Sequence, residues 1–406
     1  MNTIAIIGGG ASGLMAALFA ARSGAAVTIY EHNASVGKKI LASGNGRCNI
    51  INTSAGAADY AGQDPSFVTY ALKQLSFGYF EKLCLSLGLL LDVKEDGRCY
   101  PLSNEAKSVL IALKSAVTEA GVSILTDSKV TAITKSGPHF RVRTEKSEAT
   151  YDKVLIATGS EAAPQLGATA DGQRFAEALG HEIIPAYPSL VQFHLASKHP
   201  PKMAGVKTVA EVTLIVEGKN DVRVTGDILF TPYGISGLAI LDVSQRGSCA
   251  LNRKQRVSIS LNLLPRFERR ELTDVIEKLF AAVPAQSVQN ALCGLLPAKL
   301  VTYLLDDAGI PLSAHVSSLH PKEIKKLAHL IGEWKFEVTD THGFKHAEVS
   351  GGGVSTAQVN PKTMESKVVE GLYFAGEVLD VVGRRGGFNF HFAWASGMIA
   401  GKEMAK

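Results

Sequence analysis

The chain has 406 residues, 46% of them hydrophobic and 20% charged, with a formal net charge of +4. That length allows two or three domains, and the composition excludes a disordered, collagenous or disulfide-dense chain. No apolar stretch reaches the length of a membrane span. The five cysteines are scattered without a C-x-x-C spacing. That argues against a zinc site or a disulfide-reductase dithiol, so no metal is expected, and it suits a reducing cytoplasm.

The first element is an apolar run, Ile4 to Ile7, followed by Gly8-Gly9-Gly10-Ala11-Ser12-Gly13 and an Ala-rich helical pattern to Ala21. A second apolar run, Ala26 to Tyr30, ends at Glu31. This is a βαβ unit with a G-x-G-x-x-G turn and an acid closing its second strand, the arrangement a dinucleotide requires. Gly8 allows the tight turn, Gly10 lets a pyrophosphate approach the backbone, and Gly13 lets the helix pack on the strand. The first helical N–H groups, from Ala11 onward, face the phosphates at a positive dipole end. Glu31 can accept hydrogen bonds from ribose hydroxyls. Because the N-terminus carries this strand and lacks a basic n-region, it is not read as a signal peptide.

A polar stretch from Asn45 to Gln63 comes next. Helical patterns follow near Ser66–Leu87 and Ser103–Ala120, then short strands at Ser123–Leu125, Val130–Thr134, Phe140–Thr144 and Val154–Ala157. The last strand runs into Ala157-Thr158-Gly159, an ending that recurs where two-dinucleotide flavoproteins pass beneath their cofactor. From Leu190 to Asn262 the pattern is alternating β, with turns at Glu217-Gly218-Lys219-Asn220 and Pro232-Tyr233-Gly234. From Leu264 to Leu330 it is mostly helical and punctuated by prolines. The C-terminal segment returns to α/β. Gly371–Glu377 reads as a strand and acidic turn, and Phe390–Ala405 as a helix whose small residues suit packing on a sheet. The predicted division is 1–188 and 339–406 as a split nucleotide domain, 189–263 as an inserted β domain and 264–338 as an inserted helical domain.

The second glycine–acid turn, Gly376-Glu377, separates an FAD protein from a simple NAD dehydrogenase. FAD is long, so its ribityl and flavin half needs a contact of its own. A helix starting near Asn389 would aim its N-terminus at the flavin ring, where the reduced form carries negative charge. No second complete G-x-G-x-x-G appears in the middle segment. A nicotinamide donor, NAD(P)H, would therefore bind only transiently.

Several segments together resemble the YhiN/BaiN family of FAD-dependent oxidoreductases. They are Gly37-Lys38-Lys39-Ile40-Leu41-Ala42-Ser43-Gly44-Asn45-Gly46-Arg47-Cys48-Asn49, Gly351-Gly352-Gly353-Val354, Thr363-Met364-Glu365, and Leu372–Asp380 with Gly386-Gly387-Phe388-Asn389. In the middle, Gly226–Thr231 and Gly234–Gly237 resemble the family's inserted β domain. The match spans essentially the whole chain. It departs at Arg384-Arg385 and at Phe388–Phe392, beside the expected flavin edge. The resemblance implies an α/β, glutathione-reductase-like (Rossmann-type) FAD-binding domain with an inserted β-barrel-like domain and a small helical domain. It implies non-covalent FAD held by Gly8, Gly10, Ala11, Ser12, Gly13, Glu31, Asn45, Gly46, Arg47, Val130, Ala157, Thr158, Gly159, Gly376, Glu377, Asp380, Gly387, Phe388 and Asn389. Lys38 and Lys39 either neutralise FAD phosphates or are simply solvated, and Arg47 either wraps the flavin or holds a carboxylate. Two residues are candidate catalytic proton donors: Cys48, whose bland alternative is a small buried thiol, and His391, whose alternative is a helix-face histidine pointing away.

Three functions fit this reading. The first is NAD(P)H-driven reduction of a C=C bond, with uridine in large-subunit ribosomal RNA becoming dihydrouridine. The second is oxidation or reduction of a small metabolite, such as an aminoacetone-like amine or a bile-acid-like enone. The third is a non-catalytic flavin redox sensor. From Pro188 to Val338 there are 18 Lys+Arg against 14 Asp+Glu, while the remainder has 24 of each. The whole positive excess therefore sits in the insertions. That is either an ordinary solvated surface or a shallow basic face for a polyanion.

Overall fold

A computed structural model describes residues 2–406. It divides into two compact units, residues 1–187 with 348–406, and residues 188–347. The first is built on a five-stranded parallel sheet in the order Leu372–Phe374, Lys153–Ile156, Thr3–Ile7, Ala26–Tyr30, Ser123–Leu125. Its central strands are continuously apolar because a parallel sheet is covered on both faces. Ile4, Ile6, Leu155 and Ile156 are fully buried. Each such side chain contributes roughly 1.5–3 kcal/mol by leaving water.

One covering layer is a helix pair. The helix Ala11–Arg22 lies against the C-terminal helix Phe388–Met404, and the two touch through small residues. A Cβ on Gly397 would overlap the Ser12 carbonyl, and one on Gly401 the Ala16 carbonyl. The small residues expected to sit on a sheet instead bring two helix backbones together. The two helices are buried along most of their length, so neither shows a clean amphipathic stripe.

The second unit is a closed antiparallel barrel. Its strands run Phe193–Leu195, Gly234–Ser236, Lys219–Thr231, Lys207–Val216, Val257–Asn262, Trp334–Thr341 and back to the first. The expected turns at Glu217–Asn220 and Pro232–Gly234 are the hairpin connections. Helices Leu272–Ala282, Val288–Leu292, Ala298–Ala308 and Pro321–Gly332 share one hydrophobic core with the barrel. The expected separation at 263 and 338 therefore does not hold. The helices are a loop between two neighbouring barrel strands, and the closing strand straddles residue 338. Leu238–Asn252, expected as β, is a 15-residue helix. In the first unit the pattern at Ser66–Leu87 breaks at Leu75 into two helices, Val68–Gln74 and Phe77–Ser86, the second capped by the Ser76 hydroxyl. Among the described residues no helix is long and apolar enough to cross a membrane.

Candidate active site

The glycine turn behaves as its sequence implies. Gly8 has φ +109, and a Cβ there would lie 2.5 Å from the Ala157 carbonyl oxygen, so this turn packs directly on the Ala157-Thr158-Gly159 strand end. A Cβ on Gly13 would overlap the Gly8 oxygen, whereas a Cβ on Gly10 meets nothing within 4 Å. Gly10 is the N-cap and supplies no side-chain acceptor, which leaves the N–H groups of Ala11, Ser12 and Gly13 for an outside partner. An open approach over uncapped helical N–H groups is what a pyrophosphate needs. The residues present fit FAD's adenosine-diphosphate half.

Glu31 is 6% exposed. One carboxylate oxygen accepts the Gly9 N–H at 3.0 Å, and the other accepts the Asn33 N–H and side-chain amide at 2.8 Å each. It braces the glycine loop and keeps spare lone pairs for hydroxyl donors. The Ser128 N–H bonds the Glu31 carbonyl at 2.9 Å, which brings the segment leading to buried Val130 alongside.

The C-terminal motif meets the N-terminal one. A Cβ on Gly376 would lie 2.6 Å from Ser12 Oγ, and Gly376 donates its N–H to Ser396 Oγ at 3.0 Å. Lys39 Nζ pairs with Glu377 Oε2 at 2.7 Å, and the Ser350 N–H donates to Glu377 Oε1 at 2.8 Å. Gly159 faces the same carboxylate, at 3.9 Å from a Cβ position. Thus Lys39, Gly159 and Glu377, from three distant parts of the chain, converge on one point. Lys38 donates to Asn33 Oδ1 at 2.6 Å. In the structure both lysines have protein partners and neither is a merely solvated charge.

Other predicted residues serve as brackets. Asp380 is 2% exposed and accepts the N–H groups of Gln63 at 2.8 Å and Gly352 at 3.2 Å. Asn389 closes a reciprocal pair with Gly383, accepting at 2.7 Å and donating at 2.9 Å. The Phe388 carbonyl accepts the Tyr60 hydroxyl at 2.8 Å. Gly387, at φ +95, is the N-cap of the C-terminal helix and has no capping side chain, so this helix too presents free N–H groups. Arg384 is held by Asp59 and lies over the Phe388 ring; it is not a free basic group.

The loop Ser43–Asn49 has an unusual backbone. Gly44, Asn45, Gly46 and Cys48 all have positive φ, of 57, 55, 82 and 59. A side chain in that region costs of order 1 kcal/mol, least for asparagine, so the loop carries a local backbone cost at Cys48 above all. Asn45, Gly46 and Arg47 are exposed, and Arg47 lies over the Tyr100 ring at 5.4 Å.

Both proton-donor candidates lie in the interior. Cys48 is fully buried, and burial pushes its thiol up to about 11. Its left-handed backbone lets it alternate with exposed Arg47 and turn inward. His391 is 4% exposed; its Nε2 bonds the Leu75 carbonyl at 2.9 Å, and burial lowers its pKa. In this structure both side chains are enclosed by protein.

The sequence reading missed three groups. The Lys39–Glu377 pair had no local signal. In the second unit, His194 Nε2 and His342 Nδ1 lie 2.8 Å apart, and the Tyr233 ring stacks on His342 with centroids at 3.7 Å. His199, Asp306 and Asp307 bring ligand-type atoms together. Those acids already have partners, Lys198 on Asp306 at 3.0 Å and Trp334 Nε1 on Asp307 at 2.8 Å.

Comparison with known proteins bears on this geometry. The HI0933-like protein Rossmann domain family model matches residues 2–403. A 3-dehydro-bile acid delta(4,6)-reductase of Clostridium scindens is 37% identical, over 100% of both chains. Ribosomal RNA dihydrouridine synthases of Haemophilus influenzae and Escherichia coli are 34% and 31% identical, covering 96% and 98% of this chain and 95% and 97% of theirs. In fold, the chain is similar to a 3-ketosteroid delta1-dehydrogenase from Sterolibacterium denitrificans, with a TM-score of 0.53, 12% identity and 100% of both chains covered. With its glycine turn, bracing acid and second acidic turn in place, the chain belongs to the HI0933-like family, the YhiN/BaiN group of FAD-dependent oxidoreductases whose motifs it carries.

Proposed function

We propose that this protein reduces a carbon–carbon double bond conjugated to a carbonyl, and that its substrate is a uridine in large-subunit ribosomal RNA. The names of its relatives share one chemistry. Making dihydrouridine saturates a ring C=C conjugated to a carbonyl, and the double bonds of a delta(4,6) 3-dehydro-bile acid are conjugated to the ketone at position 3. FAD, once bound and reduced by NAD(P)H, would supply a hydride to one carbon, and a proton would go to the other. This chain's own residues bind and orient. Gly10, Ala11, Ser12 and Gly13 receive the phosphates, Glu31 the ribose, and the N-terminus of Phe388–Met404 favours negative charge on the reduced ring. NAD(P)H is the proposed transient donor, and the cytoplasm the proposed location. The deeply buried Cys48 and His391 favour a proton from elsewhere, solvent included.

The observation that carries RNA over a small molecule is the charge division. The second unit has 19 Lys+Arg against 15 Asp+Glu, while the first has 23 of each. A polyanion gains from that surplus and a neutral steroid-like ring does not. The second reading, a small enone, is favoured by the 37% identity to the bile-acid reductase. The deciding experiment is dihydrouridine in ribosomal RNA after deletion of the gene and after its return. Loss and recovery, with no recovery by a Gly10→Ala variant, supports the proposal. Unchanged dihydrouridine refutes it and directs the assay to enones with purified, flavin-loaded enzyme.

A further inference from the structure

The helix Pro321–Gly332 in the second unit carries a feature that the reduction chemistry does not use. Leu327, Ala328 and Ile331 are buried in the core of that unit. Lys322, Lys325, Lys326 and His329 are all exposed. Their spacing, i, i+3, i+4 and i+7, places them in one stripe along a single face. The stripe spans about 10 Å at 1.5 Å per residue. The helix has one acid, Glu323, and its carboxylate is occupied by the His320 N–H at 2.8 Å in a capping box. The helix Leu272–Ala282 packed beside it carries two exposed acids, Asp274 and Glu277, while other nearby acids are engaged. Asp306 pairs with Lys198, Asp307 with His199, and Glu333 with Arg269 at 2.7 Å. Lys326 Nζ bonds the Ala308 carbonyl at 2.7 Å and anchors the helix end. Lys322 and Lys325 have no ion pair among the described residues. Elsewhere on the unit several cations are paired, for example Lys207 with Asp227 and Arg256 with Glu217.

We infer that this stripe is a docking face for the phosphate backbone of RNA, with Lys322 and Lys325 as its principal contacts. The inference rests on the RNA reading above and assigns it a surface. A row of three lysines and a histidine on one helix face is complementary to a line of phosphates. At roughly 3.4 Å of axial advance per phosphate on one strand, its length matches about three of them. Such contacts set position and affinity without reading sequence.

The test measures binding of the flavin-loaded enzyme to protein-free large-subunit ribosomal RNA across a potassium chloride series. The variant is Lys322→Gln with Lys325→Gln, and the control is Lys219→Gln with Lys254→Gln, two exposed lysines elsewhere on the same unit. The expected result is a steep salt slope for the wild type, lowered by about 1.4–1.8 in the stripe variant, at 0.7–0.9 per lost phosphate contact. The control keeps the wild-type slope, and flavin content is equal in all three. A stripe variant with the wild-type slope overturns the docking face and leaves the RNA reading standing. A wild type that binds RNA weakly and without salt dependence overturns both. Stronger salt-sensitive capture by phosphatidylglycerol vesicles than by RNA also overturns the inference.

Discussion

Gly10 and Gly13 stand three residues apart in one turn, and the structure gives them opposite sensitivities to a single methyl group. Gly10 has φ −83 and ψ −166, extended backbone that alanine adopts freely, and a Cβ there meets nothing within 4 Å. Gly10→Ala is therefore expected to leave the apoprotein's stability within about 1 kcal/mol of the wild type, because restriction of the unfolded chain offsets the poorer cap. The cofactor is affected differently. Carbon requires about 3.5 Å to a neighbouring heavy atom, whereas phosphate oxygens bond N–H groups at about 2.9 Å. A methyl at the N-cap thus holds the pyrophosphate off the helix. Losing two charge-assisted hydrogen bonds at roughly 1.5–3 kcal/mol each weakens FAD by about 10²- to 10⁴-fold. Gly13→Ala drives its methyl into the Gly8 carbonyl, so overpacking of about 1–3 kcal/mol falls on the fold itself. The assay pairs flavin titration of the apoprotein, followed by fluorescence, with urea unfolding of the same samples. A Gly10→Ala protein that binds FAD like the wild type refutes the assignment. So does one whose apoprotein is as unstable as Gly13→Ala.

Other consequences concern titration and pairing. Burial pushes Cys48 up to about 11 and Cys84 and Cys99 up to about 12, so above about pH 9 only the unfolded chain releases these protons. Stability should fall with rising pH there, by about 1.4 kcal/mol per unit for each thiol, and Cys84→Ala should make the fall shallower in alkaline urea titrations. His181 and His391 are lowered by burial, so below the ordinary histidine range the unfolded chain takes up protons that the folded one refuses. Stability should therefore drop as pH falls through that range, and His391→Gln should flatten the acid limb of a melting-temperature profile. Cys48→Ala should keep its flavin and its turnover, because the thiol is enclosed; abolished turnover with flavin retained would restore it as a donor. A double-mutant cycle of Lys39→Met and Glu377→Gln should give a coupling of about 0.5–1 kcal/mol in apoprotein unfolding, the range of a part-exposed pair.

How far the sequence could be read depended on whether a signal was local. The βαβ opening needed only contiguous residues, and Gly8, Gly10, Gly13 and Glu31 have the surroundings their order implied. The missed helix Leu238–Asn252 did carry a signal. Ile240, Val243, Ser244 and Gly247 recur at helical spacing, but serine and glycine blur the apolar pattern and lower helix propensity. Gly247 is there for close packing, since its Cβ would lie 2.5 Å from the Phe193 ring. The closing strand was also legible. Trp334, Phe336 and Val338 are buried while Lys335 and Glu337 between them are exposed, a period of two concealed by the helical segment just before it. The Lys39–Glu377 pair joins residues 338 apart in sequence and follows only from the fold.

The inward turn of Cys48 shows why identity within a motif does not establish a role. Cys48 lies between Arg47, which is exposed, and Asn49, and the motif alone marks a thiol beside a cofactor. In the fold it has φ +59 and a buried sulfur, and burial raises its pKa. The strain there belongs to the loop as a whole, where Gly44, Asn45 and Gly46 share the left-handed conformation and are exposed. Asn45→Gly relieves strain but frees the unfolded chain, so apoprotein stability should stay within about 1 kcal/mol without loss of flavin, whereas Asn45→Val, β-branched at a positive φ, loses both. Equal flavin retention in the two variants would mean that the loop's backbone conformation has no part in holding the cofactor.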